Sequence, residues 1–543
     1  MTNVLTAIKN FLGNPVTTIV IIVAVIASRI IQLVYFYNIG VDVSFQLMGT
    51  QNFLDGHGIS LAHSLPSDLS QTLYSPLIKW PPGYSILVAP LLAVFGNYIV
   101  AGLVLDIVFA VVLIFTCRGI LKLLLLPVYL RNLFTLLTGF FIYFFYFNPS
   151  SDSIAITFFV LGIYYCLRLF TWDNKKDRNT LLMIAMLFLS AFTKYLFMPL
   201  IMIVPALLWL TGRVNHDRQI KKLGGISFIV LVCLVGSVLL YQKVISGSAT
   251  YISSTGRGFY PGNLAEAYPF FPATFIKPDT ITSLLPGAAF EKSVIIAFQF
   301  MYLVTLAMAL FFFTKRLMKK GFKTQSPFQF FAILSSFVCL AIIAELGILS
   351  LFVEKEEIFS WRYWTYIEEA RYYGLGNVLL QLLLFAGYWH FKKVPVQKKK
   401  IVFTGLVLLM VIEMTRTTYF LYNRIRQYKQ EEYSWQFENR FQQYADSIIR
   451  REKEMSKANT VVATGTSYYF NHRVAIYSKV PLLDSVSSLI RYQNLKSNDP
   501  AILIIILERG SETAFNQFLS QPFVKLTGRF ERFDFYVAHI KPQ

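Results

Sequence analysis

The stretch from Pro15 to Gly58 reads PVTTIVIIVAVIASRIIQLVYFYNIGVDVSFQLMGTQNFLDGHG, an apolar run that passes into a polar, acidic segment. The run up to Tyr37 is long enough to cross a hydrocarbon core of roughly 30 Å, and only a helix satisfies its own backbone there. Lys9 precedes the run and no small-residue cleavage site follows it. We therefore predict an uncleaved first span with a cytoplasmic amino terminus.

The composition of the whole chain is that of a membrane protein. Its 543 residues are 55% apolar, 16% aromatic and only 15% charged, with a mean hydropathy of +0.52. The net charge is +20, but the basic residues occupy short loops and are not interleaved with aromatic stacking platforms, which argues against nucleic acid as a partner. The four cysteines lie in or at the ends of apolar runs without paired spacing, so neither disulfides nor a cysteine-ligated metal is expected.

The basic loops also set the predicted topology, because cytoplasmic loops carry an excess of Lys and Arg. This rule predicts a polytopic α-helical membrane protein with about eleven spans. We place the spans at 16–37, 98–117, 132–148, 152–170, 180–195, 197–211, 224–245, 293–313, 327–352, 374–391 and 401–421. The alternation of inner and outer loops holds only if the apolar stretch 84–95 does not cross, so we predict a re-entrant or interfacial helix there.

Two long loops, 38–83 and 246–292, face outward in this topology, and long ordered loops are often functional. After residue 423 the composition becomes polar and helix-forming, and short strand-like runs follow: TVVAT, AILIIIL and DFYVAHI. We therefore predict a transmembrane domain at 1–423 and an extracytoplasmic α/β domain at 424–543. No GxGxxG motif follows a predicted strand and no GxxxxGK[ST] motif occurs, so a nucleotide site is not indicated.

Two carboxylates on the outer side are candidates for chemistry. Asp42 begins a short predicted helix directly after the first span, where it either caps that helix or reaches a lipid substrate from water. Asp152 follows FNPSS at the outward end of a helix pair, and is either a solvated charge or a second acid of the same site. Asp106 and Glu345 lie within spans, where an ionisable group either pairs with a polar neighbour or is functional.

Several cations stand on the outer side against the positive-inside trend. Lys79 lies in KWPPGY beside Trp80 and Tyr84, which are either interface anchors or parts of a site. The others are Arg29, Lys194, Arg257 and Arg371. A lone cation near the membrane either extends its charge to the surface or pairs with an anion, and phosphate is a candidate partner.

Taken in order, several motifs resemble those of the GT-C superfamily of membrane glycosyltransferases, in particular the branch with protein O-mannosyltransferases and lipid A aminoarabinose transferases. They are Arg29 followed by Asp42 with GTQNFLDGHG, then KWPPGYSILVAPLLAVFG, NPSSDSIAITFFVLGIYY, AFTKYLFMPL and EARYYGLGNVLL. In that family the acid after the first span is the catalytic carboxylate, often in an acidic pair. Here Val43 takes the place of the second acid, and the block around Lys194 lacks the family's Gly-Pro.

The resemblance implies a GT-C-like fold and a glycosyltransferase that moves one sugar from a polyprenyl phosphate to a hydroxyl on the outer face, with inversion. Asp42 would be the general base and Asp152 a second catalytic residue. The donor site would be formed by Arg29, Lys79, Tyr84, Lys194, Arg257, Tyr260, Arg371 and Tyr372. The resemblance identifies no particular cofactor and leaves a divalent metal open, with Asp42 and Asp152 as its ligands. The acceptor would be a protein, a lipid or a glycan.

Two other readings of the sequence stay open. A transporter or flippase of lipid-linked glycans would also need many spans and buried charges, but it predicts inverted repeats or broken helices in matching halves, which the sequence does not show. A glycan polymerase or ligase would share the acceptor chemistry, so only its product would distinguish it.

Overall fold

The computed structural model describes residues 2–36, 41–140, 151–170, 176–249, 259, 326–351, 370–390, 395–427, 435–456, 458–464, 479–483, 489, 492–510 and 512–542. The predicted span 293–313, the second half of the span predicted at 132–148, and nearly all of the loop 246–292 lie outside these residues.

Most of the described chain is helical. Its helices are α1 Thr2–Gly13, α2 Pro15–Phe36, α3 Val41–Leu54, α4 Gly83–Phe95, α5 Tyr98–Leu123, α6 Val128–Phe140, α7 Ser151–Arg168, α8 Lys176–Thr193, α9 Phe197–Val214, α10 Arg218–Ser246, α11 Pro327–Ser350, α12 Ala370–His390, α13 Val396–Gln427 and α14 Trp435–Met455. Among the described helices, five (α2, α5, α7, α9 and α10) are long and apolar enough to cross a membrane. The chain is therefore a multi-pass membrane protein; the total of about eleven spans stays a prediction.

Helix α4 has the length that the interfacial prediction requires. Its 13 residues rise only about 20 Å, which is less than the hydrocarbon thickness. The helix ends at Gly96, whose φ of 60° is left-handed and whose N–H donates to the carbonyl of Leu92, a common helix stop. Asn97 follows at once and caps α5, because its side chain accepts from the N–H groups of Ile99 and Val100.

The segments that the sequence places on the inner side meet at one end of the helix bundle. The ammonium of Lys9, in α1, lies 5.6 Å from the ring centre of Tyr129 and 5.0 Å from that of Phe403. His390, at the end of α12, places Nε2 2.7 Å from the carbonyl oxygen of Leu124. The amino-terminal helix, the α5–α6 link and the α12–α13 link therefore share one end, as the charge pattern predicts; which side of the membrane that end faces stays a prediction.

A seven-stranded sheet brings the first predicted outer loop together with the C-terminal segment. Its strands are β1 Ser60–Leu65, β2 Asp68–Pro76, β3 Asn459–Thr464, β4 Leu482–Leu483, β5 Ala501–Glu508, β6 Val524–Phe530 and β7 Phe533–Ile540, in the order β2-β1-β4-β3-β5-β7-β6. The neighbours β1–β4, β4–β3 and β3–β5 are parallel, whereas the hairpin β1–β2 and the pairs β5–β7 and β7–β6 are antiparallel. The hairpin belongs to the loop 38–83, so the sheet crosses the boundary that we predicted at residue 424.

The central and edge strands of this sheet have different sequence patterns. The central strand β5 is buried at seven of its eight positions, in keeping with its continuous apolar run AILIIIL. Along the hairpin strand β1 the buried positions are Ser60, Ala62 and Ser64, whereas Leu61 is half-buried and Leu65 is exposed. The two leucines of β1 thus lie on the less buried face, so hydrophobic alternation does not reveal this strand.

Candidate functional site

Helix α3 carries Asp42 in its first turn and is fixed to helix α4 by buried polar contacts. The hydroxyl of Ser85 donates to the carbonyl of Gln46 at 2.8 Å. The hydroxyl of Thr50 donates to the same carbonyl at 2.9 Å and lies 3.2 Å from the carbonyl of Ser85. Asp42 itself is partly exposed. Asp42 is therefore a partly exposed carboxylate on a helix that buried hydrogen bonds hold in place.

Lys79 lies beside the first turn of α3. Its ammonium is 4.8 Å from the ring centre of Trp80 and 5.9 Å from that of Phe45, and these two rings stack at 5.5 Å. Phe45 is three residues after Asp42, so both side chains project from the same face of the helix. The geometry thus places a cation held by two aromatic rings near the face that carries the candidate base.

The segment that carries Lys79 is joined to the turn between α8 and α9. The hydroxyl of Tyr195 donates to the carbonyl of Ile78 at 2.9 Å. At the start of α4, a Cβ on Gly83 would collide with the backbone carbonyl of Phe192, so only glycine allows this close approach. The segment 78–84 and the α8–α9 turn therefore form one continuous wall.

Asp152 and Lys194, two of the predicted site residues, form an ion pair in this wall. The Lys194 ammonium lies 3.0 Å from each carboxylate oxygen of Asp152. The side chains are only 2% and 11% exposed, for Asp152 and Lys194 respectively. The pair ties the start of α7 to the end of α8, and while it persists Asp152 has its charge compensated and cannot serve readily as a second base.

A second polar cluster lies deeper, between α4, α5 and α7. The hydroxyl of Ser153 lies 3.2 Å from one carboxylate oxygen of Asp106. Tyr84, on α4, is fully buried and within electrostatic range of Asp106. The Tyr84 hydroxyl and the other oxygen of Asp106 are buried without a hydrogen-bond partner in the part of the chain that the structure describes. Sequence reasoning named Tyr84 and Asp106 separately but did not place them together.

Arg29 is 2% exposed and lies inside the helix bundle. Its Nη1 donates to the side-chain oxygen of Gln32 at 2.8 Å, and its Nη2 donates to the carbonyl of Thr138 on α6. The guanidinium thus holds α2 against α6. Its predicted role in binding the donor phosphate stays a prediction.

The remaining predicted donor-site residues lie at or beyond the limits of the described chain. Arg257 and Tyr260 lie outside the described residues, and Arg371 and Tyr372 lie in the first turn of α12 with side chains that are also outside them. Within the described ranges no group of three His, Cys, Asp or Glu side chains is placed to hold a metal ion. Asp42 and Asp152 stay the predicted ligands of any metal, although the Lys194 ammonium lies 3.0 Å from each oxygen of Asp152.

No protein-family model and no curated protein matches this sequence. The chain does superpose on two crystal structures of ArnT from Cupriavidus metallidurans, one bound to undecaprenyl phosphate and one in the apo state. In each case the TM-score is 0.54 and the sequence identity 10%, and the superposition covers 96% of this chain and 97% of ArnT. The chain has the GT-C fold. The archaeal oligosaccharyltransferase AglB from Archaeoglobus fulgidus is also similar, with a TM-score of 0.44, 10% identity, and coverage of 90% of this chain and 69% of AglB.

Within this GT-C fold, sequence reasoning missed the polar residues that position α3. Gln46 and Thr50 are buried although they are polar, and they lie four residues apart on one helix face. Two polar residues at this spacing, in a helix next to a membrane span, indicate a polar helix face that contacts a neighbouring element. Their partner Ser85 lies in the apolar run of α4, where a single serine gives no sequence signal of its own.

Proposed function

We propose that the chain is a glycosyltransferase that moves a single sugar, a hexose or a pentose, from a polyprenyl-phosphate donor to an acceptor hydroxyl on the extracytoplasmic face. The observation that carries the proposal is the position of Asp42. It is a partly exposed carboxylate in the first turn of α3, directly after the first long apolar helix. Lys79 lies beside this turn, and the Asp152–Lys194 pair lies at the same end of the helix bundle. The GT-C fold over nearly the whole chain supports this reading.

In the proposed reaction Asp42 removes the proton from the acceptor hydroxyl as its oxygen attacks the anomeric carbon of the donor sugar. The new carbon–oxygen bond forms while the bond from the anomeric carbon to the phosphate oxygen breaks, and the electron pair leaves with the polyprenyl phosphate. One base and one leaving group on opposite sides of the sugar imply inversion. No nucleotide enters this reaction.

Negative charge grows on the departing phosphate, so nearby cations lower the barrier when they are already in place. Lys79 fits this role best among the described residues, because two aromatic rings hold its ammonium beside α3. Lys194 would have to exchange part of its interaction with Asp152 for the phosphate. Arg257 and Arg371 are the further predicted contributors from the outer side.

ArnT was crystallised with undecaprenyl phosphate, the kind of lipid phosphate that the proposed reaction releases. The test is to incubate the purified full-length protein with a panel of radiolabelled polyprenyl-phosphate sugars and a heat-treated membrane and glycan extract that supplies acceptor hydroxyls, and to measure release of polyprenyl phosphate. Asp42→Asn keeps the shape of the side chain but cannot take a proton, so we expect transfer to fall by about 10²–10⁴-fold while donor binding persists.

A matched control is Asp177→Asn, because Asp177 is an exposed carboxylate in the first turn of α8, at the end of that helix remote from the Asp152–Lys194 pair. We expect this variant to transfer at the wild-type rate. Transfer by Asp42→Asn at the wild-type rate would show that the base lies elsewhere. Release of polyprenyl phosphate from no donor in the panel would contradict the proposed function itself.

A further inference from the structure

A cavity of about 140 Å³ lies between α3, the β1–β2 hairpin and the C-terminal segment, apart from the wall that holds Asp152 and Lys194. Helix α3 lines it with Met48, Gln51 and Asn52, which follow the three- and four-residue spacing of one helix face, and Asp55 lines it directly after the helix ends. Three separate parts of the chain therefore build it, and its volume suits one sugar unit better than a glycan chain.

The floor of this cavity contains a buried hydroxyl with no partner. Thr460, on β3, is 2% exposed, lines the cavity, and its Oγ1 makes no hydrogen bond with the residues that the structure describes. A buried hydroxyl without a partner lowers stability, and a bound hydroxyl group would remove that cost. Asn52 and Asn459 line the same space, with amides that donate to backbone carbonyls at 2.7 and 2.8 Å.

The rim is exposed and carries both aromatic and charged groups. The rings of His57 and Tyr74 stack with centres 3.9 Å apart, which leaves an outer ring face for the C–H face of a sugar. Asp55 is already engaged, since the Lys479 ammonium lies 3.5 Å from one of its oxygens and Gln51 donates to the other at 2.7 Å. The rim thus offers hydroxyl-binding and ring-stacking groups around a pair of compensated charges.

A second cation on the rim does not belong to the Asp55–Lys479 pair. Lys453, on α14, lines the cavity and has no ion pair within 4.0 Å among the described residues. Partial burial lowers the pKa of its ammonium, and the charge of Asp446, two turns earlier on the same helix, opposes that effect. The single positive charge of Lys453, partly offset by the negative charge of Asp446, complements a ligand with one negative charge better than a phosphate monoester with two. A carboxylate on the ligand satisfies this condition.

We infer that this cavity binds a carboxylate-bearing sugar, with Thr460 and the asparagines on its hydroxyls and Lys453 on its carboxylate. Met48, the first cavity residue of α3, lies six residues after Asp42, or about 9 Å along the helix axis. This assignment rests on the proposed function: the bound sugar is one unit of the acceptor, and the hydroxyl that Asp42 deprotonates belongs to the neighbouring sugar unit.

The test measures binding of glucuronate, glucose and acetate to the full-length protein in nanodiscs without donor, by saturation-transfer NMR titration. We expect glucuronate to bind, and glucose and acetate each to bind several-fold more weakly. Lys453→Met should weaken glucuronate about three- to fivefold, as suits an exposed ion pair, and leave glucose unchanged. Lys525→Met, an exposed lysine on β6 of the same sheet, should leave both unchanged.

Thr460→Val is the second variant. Valine keeps the shape and removes the unpartnered hydroxyl, so a purely structural role predicts equal or higher stability with unchanged binding. A ligand contact predicts unimpaired stability and about fivefold weaker binding of both glucuronate and glucose. Acetate binding as tightly as glucuronate, no saturable binding of glucuronate, or unchanged affinities in both cavity variants would each overturn the inference.

These outcomes separate the inference from the proposed function, because donor turnover is measured without added glucuronate and glucuronate binding is measured without the donor. Asp42→Asn should bind glucuronate as the wild type does. Polyprenyl phosphate release without glucuronate binding would overturn only the assignment of the cavity. Glucuronate binding with no release from any donor would contradict only the transferase.

Discussion

Removing either partner of the Asp152–Lys194 pair should destabilise the protein far more than removing both. Each ammonium–carboxylate contact is 3.0 Å, and the side chains are only 2% and 11% exposed. A single substitution leaves the other charge buried without compensation, which typically costs about 3–5 kcal/mol. We therefore expect losses of that size for Asp152→Leu and for Lys194→Met. Leucine has the branched shape of aspartate, and methionine follows the path of the lysine stem.

The double variant removes both charges and fills their space with apolar groups. Replacing a buried ion pair in this way is often neutral or stabilising, so the double variant should be several kcal/mol more stable than the sum of the single losses predicts. Equilibrium unfolding in mixed detergent micelles, followed by tryptophan fluorescence, gives the four free energies of the cycle. Additive single losses would refute the claim that the two charges depend on each other.

Transfer activity of the same four proteins separates a structural role from a role at the donor phosphate. If Lys194 only holds α7 to α8, the stable double variant should transfer sugar normally. If the ammonium also stabilises the leaving phosphate, the double variant should fold and insert but transfer slowly. We expect the second result, because Lys194 lies in the wall that is joined to the Lys79 segment through Tyr195.

Three further predictions concern packing, pH and topology. Gly83→Ala should cost about 1–3 kcal/mol in unfolding free energy, because its Cβ would meet backbone. Gly236→Ala, whose Cβ would meet nothing within 4 Å, should cost nothing. Asp68 has a pKa below its usual range, chiefly because the Ser70 hydroxyl donates to it. The ionised Asp68 should therefore stabilise the hairpin above about pH 4, and this stabilisation should be lost at lower pH. Proteolysis of the hairpin should rise below about pH 4 in the wild type and rise less steeply in Asp68→Asn. A reporter that is active only outside the cytoplasm should be active when fused to the carboxyl terminus and inactive when fused after Lys398; the reverse pattern would contradict the orientation.

Hydropathy located the helices well but not their ends. The first span was predicted at 16–37 and helix α2 is Pro15–Phe36, whereas the span predicted at 98–117 belongs to a helix that continues to Leu123. The continuation includes Arg118, whose guanidinium donates to the side chains of Asn132 and Thr135. A hydropathy profile sees only the hydrocarbon-crossing part, because the polar contacts that extend a helix beyond it come from elsewhere in the chain.

The sheet and the site show where sequence reasoning stopped. Strand β1 buries serines and exposes Leu65, and its pairing with β4 joins residues more than 400 positions apart, which no local pattern reveals. Asp152 and Lys194 were both named from the sequence as separate candidates, one a catalytic acid and the other a phosphate ligand. Their mutual ion pair depends on how α7 and α8 pack, and packing is what a linear pattern leaves undetermined.

Helix α3 is held at its middle by Ser85 and at its carboxyl end by α5 and the C-terminal segment, and this explains how one carboxylate suffices for the proposed chemistry. Near its carboxyl end, Gln51 accepts from the hydroxyl of Tyr98 on α5 at 3.0 Å and donates to Asp55, which pairs with Lys479 of the C-terminal segment. The membrane bundle and the sheet therefore fix the same helix. Because a positioned base contributes most when it needs no reorganisation, a ligand in the adjoining cavity would also bear on the position of Asp42, through the helix that the two sites share.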